Sequence, residues 1–389
     1  MDTTTQNFDV IVVGGGIIGC NVAHALCERG QKVAVIEAAS LCSGTSANSF
    51  SWINGTSKVN SEAYHRLNAS GLHAYHELAR RFGEQRIGLY RCGTLEWSSP
   101  GEHSQLADLR HKAERLKAWD YPVAWVTQAE LSAMEPHVVF REGAEGLFAL
   151  ADPWLDVPVF VSFLAERIRE LGGQVWDDTP VEELLVDDDG TVTGVRIANG
   201  EVTAPQVVLA TGPNTPDVLT ELTGYEGFRA RFPMIRSPGL LVTTPPVTDR
   251  ALITHILYDA DTHVHLRPGS SGGLLLGSDE TDGLIDEDSG VDAIRSAATR
   301  LLEMTQQMLT SFSGAALLDE CSFRIGIRAV PADGDSIVGP LPSAEGLFVV
   351  CTHSGVTMGP AIGDLTAQAL LSGQVPEPIV PFGLERFQF

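Results

Sequence analysis

"FDVIVVGGGIIGCNVAHALCERGQKVAVIEA", Phe8 to Ala38, is the stretch on which the fold turns. Phe8 to Val13 is a short β-branched run, the kind that forms a strand buried on both faces of a parallel sheet. Gly14, Gly16 and Gly19 follow as G-x-G-x-x-G. Ile18, Val22, Ala25 and Leu26 then recur on one face of a helix that runs to about Arg29 and stops at Gly30. Val33 to Ile36 reads as a second apolar strand, ending on Glu37, eighteen residues beyond Gly19 (37 − 19). Each piece has a use in one site. Gly14 permits a tight turn, Gly16 lets a pyrophosphate approach the backbone, and Gly19 lets the helix pack on the strand. The helix start, at Ile17 and Ile18, offers free N–H groups and a positive dipole end to phosphates. Glu37, with Ala38 beside it, accepts hydrogen bonds from ribose hydroxyls. A lone glycine motif is a weak signal, but strand, turn, helix, strand and acid in this order predict a dinucleotide site. The acid argues against a 2′-phosphate and leaves FAD and NAD both open.

The next segment, "LCSGTSANSFSWINGTSK" from Leu41 to Lys58, is rich in Ser, Thr, Asn and Gly and carries a single charge. Such a composition suits a surface linker, or a loop that wraps a polar cofactor with hydroxyls and amides. Further on, Pro158 to Leu171 reads as a helix stopped by Gly172-Gly173. Strands are expected at Gln174–Trp176, Val181–Val186 and Val192–Ile197, with "DDDG" and "NG" turns between them. "APQVVLATGPN" adds an apolar strand ending on Ala210-Thr211-Gly212, small residues that let a nucleotide come close. Near the C-terminus, Leu347 to Cys351 is an apolar strand, His353-Ser354-Gly355 a turn, and a helix runs from about Met358 to Leu371. That helix start is placed to stabilise negative charge, or simply closes the sheet.

At 389 residues the chain is long enough for two to three domains. Its 26 basic and 50 acidic residues give a net charge of −24, which disfavours nucleic acid and anionic membrane surfaces as partners. No apolar run reaches the ~18 residues of a membrane span. The polar start "MDTTTQNFDV" does not read as a signal peptide. Cys20, Cys27, Cys42, Cys92, Cys321 and Cys351 show no C-x-x-C spacing, and the histidines no metal-binding pair, so free thiols in a reducing cytoplasm and no metal are expected.

The opening "GGGIIG" unit, "YHRLNASGLHAYHELARRFG", "ATG", the Arg328…Asp333-Gly334…Gly339 element and the His353…Pro360 turn together resemble the D-amino acid oxidase-like superfamily of FAD-dependent amine and amino-acid oxidoreductases. The resemblance covers most of the chain. It implies an α/β fold: a Rossmann-like FAD-binding domain of parallel sheet plus β-meander, discontinuous in sequence, and a substrate domain on a mixed, largely antiparallel sheet. The expected division is 1–84, 151–219 and 321–389 for FAD, with 85–150 and 220–320 for substrate. Strand-like "GTLEW", "GLFAL" and "GLLVTT" fall in the second set, and "HVHLRPGSSGGLLLGSDE" reads as a hairpin.

The activity implied is oxidation of the C–N bond of a small amine or amino acid. A hydride passes to flavin N5, the imine hydrolyses, and oxygen or another acceptor takes the electrons onward. An FAD-dependent 2-hydroxy acid dehydrogenase and a flavin-bearing subunit of a larger complex are the alternatives. By analogy Arg328 clamps a substrate carboxylate through both prongs of its guanidinium, with Arg324 able to substitute, and His353 sits at the flavin-side turn. Relatives usually have proline where this chain has Ala329. Tyr258, His255, His263 and His265 are candidate pocket residues without ranking. Cofactor contacts are expected from Ser43, Gly44, Thr45, Ser46, Asn48, Val181, Thr211, Gly212, Gly355, Val356, Thr357 and Met358. In relatives that bind FAD covalently the tether is a histidine in the serine-rich loop or a cysteine before the C-terminal aspartate. Here those places hold Asn48 and Gly326, so dissociable FAD is expected.

Overall fold

The computed structural model describes residues 6–224, 232, 234–246 and 251–387. The opening motif builds the centre of a six-stranded sheet, ordered Ile337–Pro340, Leu347–Cys351, Gln206–Leu209, Val10–Val13, Val33–Ile36, Gln174–Trp176. Its pairings are parallel except for the outer pair of Ile337–Pro340 with Leu347–Cys351. Because side chains alternate along a strand, these apolar runs serve two cores at once. Val10, Val12, Val33 and Val35 pack with Val22 and Leu26 of the first helix. Ile11, Val13, Ala34 and Ile36 pack against Leu184, Val195 and Val202 of the meander on the other face. That meander is Val181–Val186, Val192–Ile197 and Gly200–Thr203, antiparallel throughout, as the turn signals implied.

The helix layer is drawn in tightly. Ile17–Glu28 follows the glycine turn directly, and Gly355–Ser372 lies beside it with Gly359 and Gly363 against Asn21. Glu62–Phe82 is capped by Ser61, whose hydroxyl accepts from the Tyr64 N–H. It crosses Gly355–Ser372 at Gly71, where an added Cβ would lie 2.2 Å from the Thr357 carbonyl oxygen. Only glycine allows that crossing.

A second, eight-stranded sheet runs Ser322–Pro331, Met234–Thr243, Leu274–Ser278, Val264–Pro268, Ile256–Asp259, Thr94–Ser98, Glu145–Ala149, Ala124–Thr127. It is antiparallel apart from the Ile256–Asp259 pairing with Thr94–Ser98. The expected hairpin is there, from Val264↔Ser278 to Pro268↔Leu274. Residues 322–331, expected in the FAD part, form the edge strand of this large sheet. They pair over their whole length with Met234–Thr243, from Met234↔Pro331 to Thr243↔Ser322. Continuous pairing decides membership, so the chain re-enters the nucleotide layer only at Ile337. One face of the large sheet buries Leu240, Val242, Leu257, Leu266 and Leu276 against Leu301 and Leu302 of the helix Val291–Met308. Tyr258 and His265, a directly opposed cross-strand pair one residue out of that phase, therefore look the other way. That other face is the roof of a cavity.

Candidate active site

The cavity, about 540 Å³, lies between the glycine turn and the large sheet. That size suits an organic ligand or cofactor group. Gly16, Ile17, Ile18, Thr45, Ser46 and Gly212 line one end. The turn is held by backbone approach: Gly14 has φ +111°, and a Cβ there would sit 2.4 Å from the Ala210 carbonyl oxygen. A Cβ on Gly19 would come within 1.9 Å of the Gly14 carbonyl oxygen. These two glycines shape the cradle without lining it. Ser46 Oγ accepts from the Ile17 N–H at 3.0 Å, which pins the serine-rich loop to the helix start. A second helix start opens into the same space at Gly355, Val356 and Thr357; it has neither a side-chain cap nor an acid in its first turn. Two positive helix ends facing one cavity suit a ligand with a pyrophosphate and an electron-accepting ring.

The chain from Asp9 onward decides the identity, for the family model of FAD-dependent oxidoreductases, DAO, matches residues 9–369. The protein belongs to the DAO family. Among curated proteins, the glycine oxidase of Geobacillus kaustophilus is 24% identical, over 98% of either chain. The crystal structure of glycine oxidase from the same organism superposes with a TM-score of 0.79 at 22% identity, covering 98% of this chain and 99% of that one. L-proline dehydrogenase from P. horikoshii gives 0.82 at 20% identity, over 99% of each chain. These likenesses establish the DAO fold. FAD is accordingly the cofactor, and the glycine cradle and the two helix starts that face the cavity are the features that fit it.

The DAO cradle receives the predicted contacts unequally. Asn48 lines the cavity, its amide donating to the Gly44 carbonyl at 3.1 Å. Its backbone carbonyl presses on Gly326, where a Cβ would be 1.8 Å away. The two positions at which the resemblance placed covalent tethers thus touch one another here, as an asparagine and a glycine. The Thr45 hydroxyl donates to the Ile327 carbonyl and ties the loop to the large sheet. Glu37 accepts from the Gly15 N–H at 2.6 Å and the Ala39 N–H at 2.9 Å, bracing the cradle from beneath. Thr211 hydrogen-bonds Thr215 at 3.1 Å. Ser43, Gly44 and Ala38 are exposed and lie off the cavity wall. Val181 packs against the meander core, and Met358 is wholly buried in the helix layer, because each points away from the cavity.

At the other end, Arg328 and His353 both line the cavity. Arg328 is more committed than the sequence suggested. Its Nη2 donates to Asp282 Oδ2 at 2.9 Å, the Pro238 carbonyl at 2.9 Å and Ser237 Oγ at 3.1 Å, and its Nε to the Ser237 carbonyl at 3.4 Å. Only Nη1 remains without a partner among the described residues, so a two-pronged clamp is not available in this arrangement. Burial is the main force raising Asp282 to about 6, against the pull of Arg328. Arg324 is exposed, bonded to the Ala47 carbonyl, and off the cavity wall. His353 is exposed toward the open cavity, with protein around it that still costs its charged form solvation. That desolvation, with Lys58 and Arg328 adding to it, lowers its pKa to about 3 and keeps it neutral.

Of the four unranked residues, Tyr258 and His265 line the cavity, stacked at 6.2 Å. Gly277 makes room for the imidazole: a Cβ there would be 2.4 Å from His265 Nε2. His255 is bound to Glu135 at 2.6 Å instead, and His263 to the Tyr258 hydroxyl at 2.9 Å. Sequence reasoning missed Trp52, Lys58, Glu96, Lys112, Asp279 and Asp282. Trp52 and Lys58 belonged to the serine-rich loop, and its lone charge was the available signal.

No helix among the described residues is long and apolar enough to cross a membrane.

Proposed function

We propose that this FAD-dependent oxidoreductase oxidises the C–N bond of a small amino acid or closely related amine, giving an imine that water hydrolyses. Bound FAD supplies the acceptor for the α-hydrogen as a hydride. The observation that carries the reading is the make-up of the far end of the cavity. Lys58 and Arg328 face it together with a neutral His353, beside an aromatic wall of Trp52 and Tyr258. Lys58, which no carboxylate offsets, draws in a carboxylate. It also disfavours the ammonium form of a neighbouring amine, and only the neutral amine has the lone pair that assists hydride departure. The aromatic wall excludes water and fixes the apolar part of the substrate, so that orientation supplies much of the rate. The names of the relatives, glycine oxidase and L-proline dehydrogenase among them, support the same class.

The test is anaerobic mixing of the yellow holoenzyme with a panel of amino acids, their decarboxylated amines and the matching 2-hydroxy acids. Loss of the visible flavin absorbance with amino acids or amines is expected. Bleaching by hydroxy acids alone sinks the reading.

A further inference from the structure

Among the described residues, six charged side chains line the cavity: Lys58, Glu96, Lys112, Asp279, Asp282 and Arg328. Four neutralise each other within the protein. Lys112 is bound to Glu96, and Arg328 to Asp282. Asp279 is exposed and acts on Tyr258 and His265, on the hairpin side. Lys58 is different. Its ammonium has no hydrogen bond and no ion pair among the described residues, although it is half-buried. Burial, then the charges of Lys112 and Arg328, lower its pKa to about 8, and no carboxylate acts against them.

The backbone under Lys58 is fixed. Its N–H donates to the Gly55 carbonyl at 3.2 Å, and the Ser57 N–H to Asn54 Oδ1 at 3.1 Å. Gly55 is gripped in turn: its N–H donates to the Tyr121 hydroxyl at 3.0 Å, and its carbonyl meets His65 Nδ1 at 3.2 Å. Asn54 and Trp52 are tethered to Thr357 Oγ1, on the helix start that faces the cavity. A cation on a braced turn, without a counter-charge, beside a cavity is a site prepared for an anion. Its electrostatic neighbours include Arg328 and His353, which places it at the substrate end and away from the glycine cradle.

We propose that Lys58 receives the carboxylate of the substrate, with Arg328 as a supporting cation held in place by Asp282. This rests on the amino-acid reading above. It assigns specificity to the serine-rich loop, which then serves cofactor at one end and substrate at the other.

The experiment titrates oxidised holoenzyme with acetate and propionate, following the perturbation of the flavin spectrum, for the native chain, Lys58→Met and Lys58→Arg. Loss of one charge-assisted contact predicts a Kd about 10- to 100-fold higher for Lys58→Met, and within a few-fold of native for Lys58→Arg. Equal Kd values for native and Lys58→Met overturn the proposal. In turnover, Lys58→Met should raise KM for an amino acid and leave KM for the matching decarboxylated amine unchanged. An equal rise for both also overturns it, since Lys58 would then act on the cofactor or the fold. Binding of carboxylates needs no turnover. If no amino acid or amine bleaches the native enzyme while Lys58-dependent carboxylate binding persists, the functional reading fails and the anion anchor stands.

Discussion

The two ends of the cavity are built in different ways. The nucleotide end is backbone: glycines that admit close approach, helix starts that present N–H groups, and a few hydroxyls that lace the loop down. The substrate end is side chains brought from a loop at 52–58, the strand Thr94–Ser98, the hairpin at 256–278, the turn at 279–282 and the strand Ser322–Pro331. A backbone cradle tolerates almost no change at its glycines and much change elsewhere. A side-chain pocket can be retuned one charge at a time without loss of the fold. Substitutions at the first end should therefore act on flavin retention, and those at the second on ligand selectivity.

The largest effect is expected at Gly14. Alanine there meets the Ala210 carbonyl oxygen at 2.4 Å with φ at +111°, so the turn must open. Gly14→Ala should weaken FAD binding on the order of 100-fold, read as the flavin-to-protein ratio of the purified chain and by titration with added FAD. Full flavin content in that variant breaks the comparison at its root. A smaller effect of the same kind is expected at Gly326, whose Cβ would lie 1.8 Å from the Asn48 carbonyl oxygen. Gly326→Cys should displace the loop and weaken FAD about tenfold, and should not restore a covalent link. Native protein precipitated with acid should release all of its flavin. Flavin retained on the pellet would show a tether that neither Asn48 nor Gly326 can make.

The same division explains what could be read from the chain. A backbone site needs particular residues at particular spacings, so Gly14, Gly16, Gly19 and Glu37 announced it within thirty residues (37 − 8 + 1). The strands were legible from apolar runs, and the meander from its turns. The substrate end has no such local grammar. Asp282 and Arg328 are 46 residues apart, and their pairing depends on the register of Met234–Thr243 with Ser322–Pro331. Alternation puts Tyr258 and His265 on one face of their hairpin but does not say which face sees the cavity. The place of the strand Ser322–Pro331 was hidden for the same reason, since its partner Met234–Thr243 lies far upstream in the chain. Lys58 was visible as a lone charge, and only the cavity gives it meaning.

A charge change at the substrate end should move ligand affinity without moving flavin. Asp282→Asn removes the counter-charge that occupies Arg328 Nη2, while the amide oxygen can still accept from the Leu240 N–H, now at 2.7 Å from Asp282 Oδ1. The positive field toward a bound carboxylate then rises, and acetate or propionate should bind several-fold more tightly. Flavin content should be unchanged. Weaker carboxylate binding in this variant would mean that the pair positions Arg328 more than it neutralises it.

The smallest effect on ligand affinity concerns the support beneath the Lys58 turn. Asp152 is wholly buried, accepting from the Tyr121 hydroxyl and from Thr56 Oγ1, the latter at 3.2 Å. Burial raises its pKa to about 7 from 3.8, over the opposing hydrogen bonds of Tyr121 and Thr56. The folded state therefore holds this proton more tightly than the unfolded chain. Its contribution to stability is fully present below about pH 4 and is lost as pH rises through about 7, at a slope approaching ~1.4 kcal/mol per pH unit between those limits. Asp152→Asn is neutral throughout and cannot show that loss. The stability of the native chain relative to the variant should fall from pH 4.5 to pH 7.5, measured as the difference in urea midpoints. A difference independent of pH would mean that Asp152 stays ionised in the fold, with Tyr121 and Thr56 compensating for its burial. Carboxylate affinity should hardly respond, because the amide preserves an acceptor for the Tyr121 hydroxyl and the turn beneath Lys58 keeps its other tethers to His65 and Thr357. A substrate end made of separable side chains should permit that independence, whereas the glycine cradle should not.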